Sequence, residues 1–238
     1  MYASQRAANS PIPARKLWAP SWLVERVGLD FFDDVIACGK KGGSAGGVLH
    51  HIGKLTRLEY LDLQGSDFSE GELAHLEGLS RLQTLNLSRS SLTDVGMVHL
   101  RDLTGLQNLI LLETKVSDAG LCHIGGMIHL QKLHLGGTNA GDLAMAQLGR
   151  MPKLEYLSLI GTRVGDAGLV HLSSLTNLKT IYLDDSPSQE TNVTDTGVNQ
   201  LKGLNSLRVL TFGRKVSSDG VESLRKALPK ASIITFRR

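Results

Sequence analysis

The chain has 238 residues, 41% of them hydrophobic but only 5% aromatic, with a formal net charge of +3. That charge is too small to imply a polyanion partner by itself, and no apolar run approaches the length of a membrane span. Cys38 and Cys122 stand far apart and in no C-x-x-C arrangement, which argues against a disulfide framework or a structural zinc site and for a reducing compartment. Met1 to Pro20 lacks an apolar stretch of signal-peptide length, so the sequence reads as cytoplasmic.

In chain order, residues 1–19 show no period and read as a flexible N-terminal segment. Residues 20–57 read as an N-terminal cap and first imperfect repeat. Ser21 caps a short helix with Trp22, Leu23 and Val27 on its apolar side, and Phe31 to Cys38 follows as a strand. The Gly-rich stretch Gly39 to Gly47 lacks the G-x-x-x-x-G-K-[ST] spacing of a phosphate loop and stands in register as the turn of that repeat.

From Leu58 the chain repeats itself. The pattern L-x-x-L-x-L opens at Leu58, Leu82, Leu106, Leu130, Leu154 and Leu178, a step of 24 residues each time. It returns at Leu207 after a step of 29, and a degenerate copy opens at Ala231. Residues 58–206 are therefore six repeats, with an insertion at 187–191, and 207–238 are the last repeat and C-terminal cap. Such a period is the signature of leucine-rich repeats, in which stacked units build a long surface rather than a pocket.

Within one copy, Leu106, Leu109 and Leu111 take the apolar positions, and strand alternation turns Asn108, Ile110 and Leu112 to the opposite face. Ser66, Ser90, Thr114, Thr138, Thr162 and Ser186 form a hydroxyl ladder at the turn, placed to bond its backbone. Ser117 reads as a helix N-cap and Asp118 as an acid favoured at the helix's positive end, a start that recurs at Thr93-Asp94, Gly165-Asp166, Thr194-Asp195 and Ser218-Asp219. Each repeat is thus a strand, a turn and a short helix. Strands pack about 4.8 Å apart and helices roughly 8–10 Å apart, so the stack bends, with its parallel sheet on the concave wall. The fold class is an α/β solenoid.

The copies LTDVGMVHL (92–100), VSDAGLCHI (116–124) and VGDAGLVHL (164–172) resemble the T-D-x-G-L-x-x-L leucine-rich repeats of bacterial proteins, and are similar to the repeats of F-box proteins. The resemblance covers about residues 20–238. It implies ligand or protein binding through the concave wall and no intrinsic catalysis; the sequence itself shows no motif that calls for a cofactor. No F-box-like helical segment precedes the repeats, so an adaptor role in ubiquitin transfer is not implied.

His51, His75, His99, His123 and His171 recur before the helix Leu or Ile, but Gln147 and Gln200 take the same place. Gln replaces His well in hydrogen bonding and poorly as a metal ligand, so the ladder reads as structural and no metal site is expected. No nucleophile, base and acid stand together in a way the repeat does not already explain, and the chain reads as not an enzyme.

The outward strand positions are the ones the fold does not dictate. Ile110, Leu112, His134, Tyr156, Ile160 and Tyr182 fall on four consecutive strands, so they form one patch spanning about 15 Å. Such a cluster on a soluble chain points to a binding surface. Tyr156 and Tyr182 are the expected anchors, Ile110, Leu112 and Ile160 the apolar floor, His134 and Asp184 the polar selectors, with Tyr60 further along the same wall. The polar insertion within Asp184 to Asn192 forms a rim beside Tyr182. The leading expectation is a monomeric scaffold or adaptor that grips a protein or peptide. The alternatives are anionic-surface or nucleic-acid binding through the basic end, where nine Lys or Arg in 201–238 face only Asp219 and Glu222, and a purely structural repeat domain of a larger assembly.

Overall fold

The computed structural model describes residues 37–39, 43–187 and 189–235. The segment 1–19, the cap helix expected at 21–27, residues 31–36 of the first expected strand, and Phe236 at the end of the last one lie outside them.

Among the described residues, nine strands form one parallel sheet in strict chain order, from Ala37–Gly39 to Ser232–Thr235. Between these lie Tyr60–Asp62, Thr84–Asn86, Asn108–Ile110, Lys132–His134, Tyr156–Ser158, Thr180–Leu183 and Val209–Phe212. The register aligns Leu61, Leu85, Leu109, Leu133, Leu157, Ile181 and Leu210 as successive partners. Each of these residues is 0% exposed, as is the second ladder of Leu63, Leu87, Leu111, Leu135, Leu159, Leu183 and Phe212. The helices Asp94–Met97, Asp118–Leu121, Asp142–Leu148, Asp166–Leu172 and Asp195–Asn199 close the other side of this core. They bury Met97, Leu121, Met145, Leu169 and Val198 against it.

At the start of the described chain, Gly43–Ser44 pairs with Ser66–Asp67 in a separate two-stranded sheet, and a helix runs over Gly46–Ile52. The Gly-rich stretch is therefore not all turn: its last two residues, Gly46 and Gly47, open that helix. At the other end the helix is Ser218–Ala227, capped by Ser217 rather than Ser218, with the Ser217 hydroxyl accepting from Gly220 N at 3.1 Å. Val221, Leu224 and Leu228 are buried beneath it.

Two side-chain ladders build the stack, one closing the turn within each repeat and one joining each repeat to the next. The turn hydroxyls donate to carbonyls three residues back: Ser90 to Leu87 at 2.7 Å, Thr114 to Leu111 at 2.8 Å, Thr138 to Leu135 at 2.6 Å and Thr162 to Leu159 at 2.7 Å. The helix aspartates do more than face a dipole, because each accepts hydrogen bonds from the start of the following helix. Asp94 takes Ser117 N and Oγ, both at 2.6 Å, and Asp166 takes Thr194 N at 2.7 Å and Oγ1 at 2.6 Å. Asp118 and Asp142 take Gly141 N and Gly165 N at 2.6 and 2.7 Å. Asp195 takes Ser217 N and Oγ, which hold its carboxyl below the usual range. The close approach leaves no room for a side chain one turn into the helix: a Cβ at Gly168 would lie 2.6 Å from Asp142 Oδ1.

The five-residue insertion leaves the sheet untouched, since Leu183 still pairs with Phe212. Asp185 ties the loop down: its carboxylate accepts from Thr191 N at 2.8 Å and from Arg214 N at 3.1 Å, while the Arg214 guanidinium reaches Glu190 at 2.5 Å. Burial opposes ionisation of Asp185, but these hydrogen bonds outweigh it and hold its pKa low.

Leu133→Ala is expected to cost about 3 kcal/mol, whereas Leu133→Asp, which buries an unpaired charge, should leave no cooperative transition in urea unfolding monitored by circular dichroism. Asp166→Ala should lower stability by roughly 2 kcal/mol through the two orphaned donors of Thr194. Asp166→Asn, which keeps one acceptor oxygen, should cost less in the same measurement.

Candidate functional site

Alternation turns one side of every strand away from the leucine core, and the central outward positions carry the bulk. On Asn108–Ile110 and the turn after it these are Ile110 and Leu112. On the next two strands and the turn after them they are Lys132, His134, Tyr156, Ser158 and Ile160, and on Thr180–Leu183 they are Thr180 and Tyr182. Ile110, Leu112, Lys132, His134, Tyr156, Ile160 and Tyr182 are all half-buried. The wall therefore holds a surface that is packed on itself and open on its outer side.

Its centre is an aromatic strip. The rings of His134 and Tyr156 lie 4.5 Å apart, and those of Tyr156 and Tyr182 lie 5.6 Å apart, both pairs tilted. The small Ser158 stands in register between His134 and Tyr182 and is only 3% exposed; its size leaves the room that the rings occupy. Beside the strip, Leu112 and Ile160 converge over Gly136, where an added Cβ would meet Leu112 Cδ2 at 3.0 Å and Ile160 Cβ at 3.7 Å. Ile110 pairs with His134 and completes the floor.

Two of the expected site residues stand apart. Tyr60 is half-buried at the far end of the wall, four strands from Tyr156, and burial followed by the Asp62 carboxylate raises its pKa. Asp184 is 9% exposed, and its Oδ2 accepts from Thr211 Oγ1 at 2.5 Å, so it is held within the wall. The most exposed large apolar side chains lie on none of the strands: Val95 is 63%, Ile128 50%, Leu143 77% and Val170 48% exposed. Val95, Leu143 and Val170 sit on the helices.

Burial sets the charge state of the strip. It lowers the His134 pKa to about 4, helped by the Lys132 ammonium, and it raises the Tyr156 pKa to about 12, helped by Tyr182. At neutral pH the strip thus presents a neutral imidazole and a protonated phenol. Glu155 pairs with Lys179 at 2.8 Å. The ammonium of Lys132, which lies between Asn108 and Tyr156 in register, forms no hydrogen bond or ion pair among the described residues, and Lys132 is not among the residues expected from the sequence. Its signal was present in the sequence: it is the one cation among the residues that share its register position, Tyr60, Thr84, Asn108, Tyr156, Thr180 and Val209.

Of the helix-side histidines, His99 bonds between repeats, its Nδ1 2.7 Å from Glu77 Oε1, and His75 makes an edge contact with the ring of His50 at 5.0 Å. Among the described residues no group of three His, Cys, Asp or Glu side chains is placed to hold a metal ion.

Two outcomes follow from the strip. Unfolded His134 takes its proton near the ordinary value of 6.5 and the folded ring near 4, so between these values the unfolded chain binds the extra proton. Stability is then complete above about pH 6.5 and falls toward pH 4, by up to roughly 3 kcal/mol. In urea unfolding across this range, His134→Gln should flatten the slope. Tyr156→Ala, which removes two ring contacts worth about 1 kcal/mol each, should lower stability measurably and leave the chain folded.

No protein-family model matches the chain, and no curated protein sequence matches it. Solved structures do. The chain is similar to internalin C2 of Listeria monocytogenes, at 21% identity and a TM-score of 0.71, over 86% of this chain and 82% of that one. It is also similar to a leucine-rich repeat protein of Leptospira interrogans, at 22% identity and a TM-score of 0.62, over 78% of this chain and 45% of that one. A third likeness is to the plant peptide hormone receptor RGFR1 in complex with RGF2, at 20% identity and a TM-score of 0.56, over 85% of this chain and 32% of that one. With the sequence period, the sheet in chain order and these likenesses together, the chain is identified as a leucine-rich repeat solenoid.

Proposed function

We propose that the chain is a non-catalytic scaffold or adaptor that holds a protein or peptide on the outward wall of its sheet. The observation that carries this reading is the aromatic strip His134–Tyr156–Tyr182 with its apolar floor of Ile110, Leu112 and Ile160, set where the fold leaves side-chain choice open. Rings that pack on one another before a partner arrives lose little freedom on binding, and tyrosine gives both apolar area and a hydroxyl donor. Structures of the same fold include a receptor solved with a peptide hormone, which supports a peptide-sized partner. Tyr60 offers a second contact further along the wall, and Asp184 serves the site through Thr211 beside Tyr182 rather than as an open carboxylate. We take the working unit to be a monomer. We place it in the cytoplasm, where the exposed free thiol of Cys122 is chemically at home; among the described residues no helix is long and apolar enough to cross a membrane.

The test is capture from a lysate of the source cell by wild type and by a Tyr156→Ala/Tyr182→Ala variant, washed at low and high salt. Recognition on the strip predicts a protein retained by wild type at high salt and lost by the variant. Material held equally by both and released by salt contradicts it and favours the basic C-terminal end, because phosphate-type contacts weaken steeply with salt.

A further inference from the structure

The strip carries one charge that nothing on the wall answers. Lys132 is half-buried, and its ammonium has three donors to satisfy, yet it has no hydrogen bond or ion pair among the described residues. The charged neighbours are already engaged: Glu155 with Lys179 at 2.8 Å, Arg89 with Glu113 at 2.8 Å and Asp184 with Thr211 at 2.5 Å. The side chains nearest to it in register and along its own strand are Asn108, Tyr156 and His134, and none is an anion at neutral pH.

We propose that the partner is an acidic peptide segment that sets an Asp or Glu carboxylate on Lys132 and the adjoining aromatic or aliphatic side chain on Tyr156 and Tyr182. This rests on the recognition reading above and gives it a chemical class. A single ammonium beside apolar and aromatic surface matches one carboxylate. A phosphate or a nucleic-acid backbone is better served by several cations or by the planar fork of arginine. Lys132 is half-buried, so a charge-assisted hydrogen bond formed there is stronger than on an open surface.

The experiment screens the full chain against an immobilised library of random dodecapeptides, acetylated and amidated so that no terminal carboxylate remains. Wild type, Lys132→Met, Lys132→Glu and Tyr156→Ala/Tyr182→Ala are compared, with circular dichroism confirming that each is folded. The expected result is enrichment of Asp or Glu next to Phe, Tyr or Leu by wild type, and a switch to Lys or Arg by Lys132→Glu. Lys132→Met should bind a selected acidic peptide about tenfold more weakly, the size of one charge-assisted hydrogen bond. If wild type and Lys132→Met select the same apolar peptides with no acidic preference, Lys132 merely extends into water and the inference is overturned, while recognition on the strip stands. Peptides retained equally by the double tyrosine variant, or no retained peptide at all, contradict both.

Discussion

No repeat in this molecule has a core of its own, and everything else follows from that. A 24-residue unit contributes one three- or four-residue strand and one short helix, too little apolar surface to fold alone. The unit becomes stable when its two leucines slide over those of the preceding copy. The aspartate-to-cap hydrogen bonds then set the step between copies: Asp94, Asp118, Asp142, Asp166 and Asp195 each reach forward to the next helix start. Stability is accordingly a sum of neighbour interfaces. A charge placed in the ladder breaks two of them at once.

The same constraint frees the outer wall. Inward positions are held to Leu, Ile or Phe by volume, and the turn positions to Ser or Thr by the carbonyl they cap, whereas the outward positions answer only to their neighbours on that face. Here they vary from Asn and Thr at one side to His, Tyr and Ile at the centre, with Lys132 among them. The insertion is absorbed without disturbing this wall because Asp185 and Arg214 pin its loop. Chemistry has thus been concentrated on four adjacent strands of a framework that is otherwise monotonous.

The fold was legible in the sequence because volume and period leave little choice at buried positions, and every ladder leucine named from spacing is in place. The strand register was legible too, so Tyr156 and Tyr182 face outward as alternation requires. Their half-burial was not: it depends on ring packing across strands, and on Ser158 being small enough to admit it. Asp184 follows the outward row by count, but the neighbouring strand supplies Thr211 and draws its carboxylate into a hydrogen bond. The aspartate ladder was read only as helix-end electrostatics because its partner stands 23 residues later in the chain. The exposed Val95 and Leu143 escaped notice for a similar reason, since each follows its helix's first aspartate and points away from the stack.

Two apolar surfaces are open among the described residues: the aromatic strip on the sheet and the side chains of Val95, Leu143 and Val170 on the helices. Hydroxyl-radical footprinting of the chain, free and bound to whatever protein it captures, separates them residue by residue. Recognition on the sheet wall predicts that Tyr156, Tyr182, Leu112 and Ile160 lose reactivity in the complex while Val95, Leu143 and Cys122 keep it. Protection of Val95, Leu143 and Val170 with an unchanged strip would contradict it and move the binding surface to the helices.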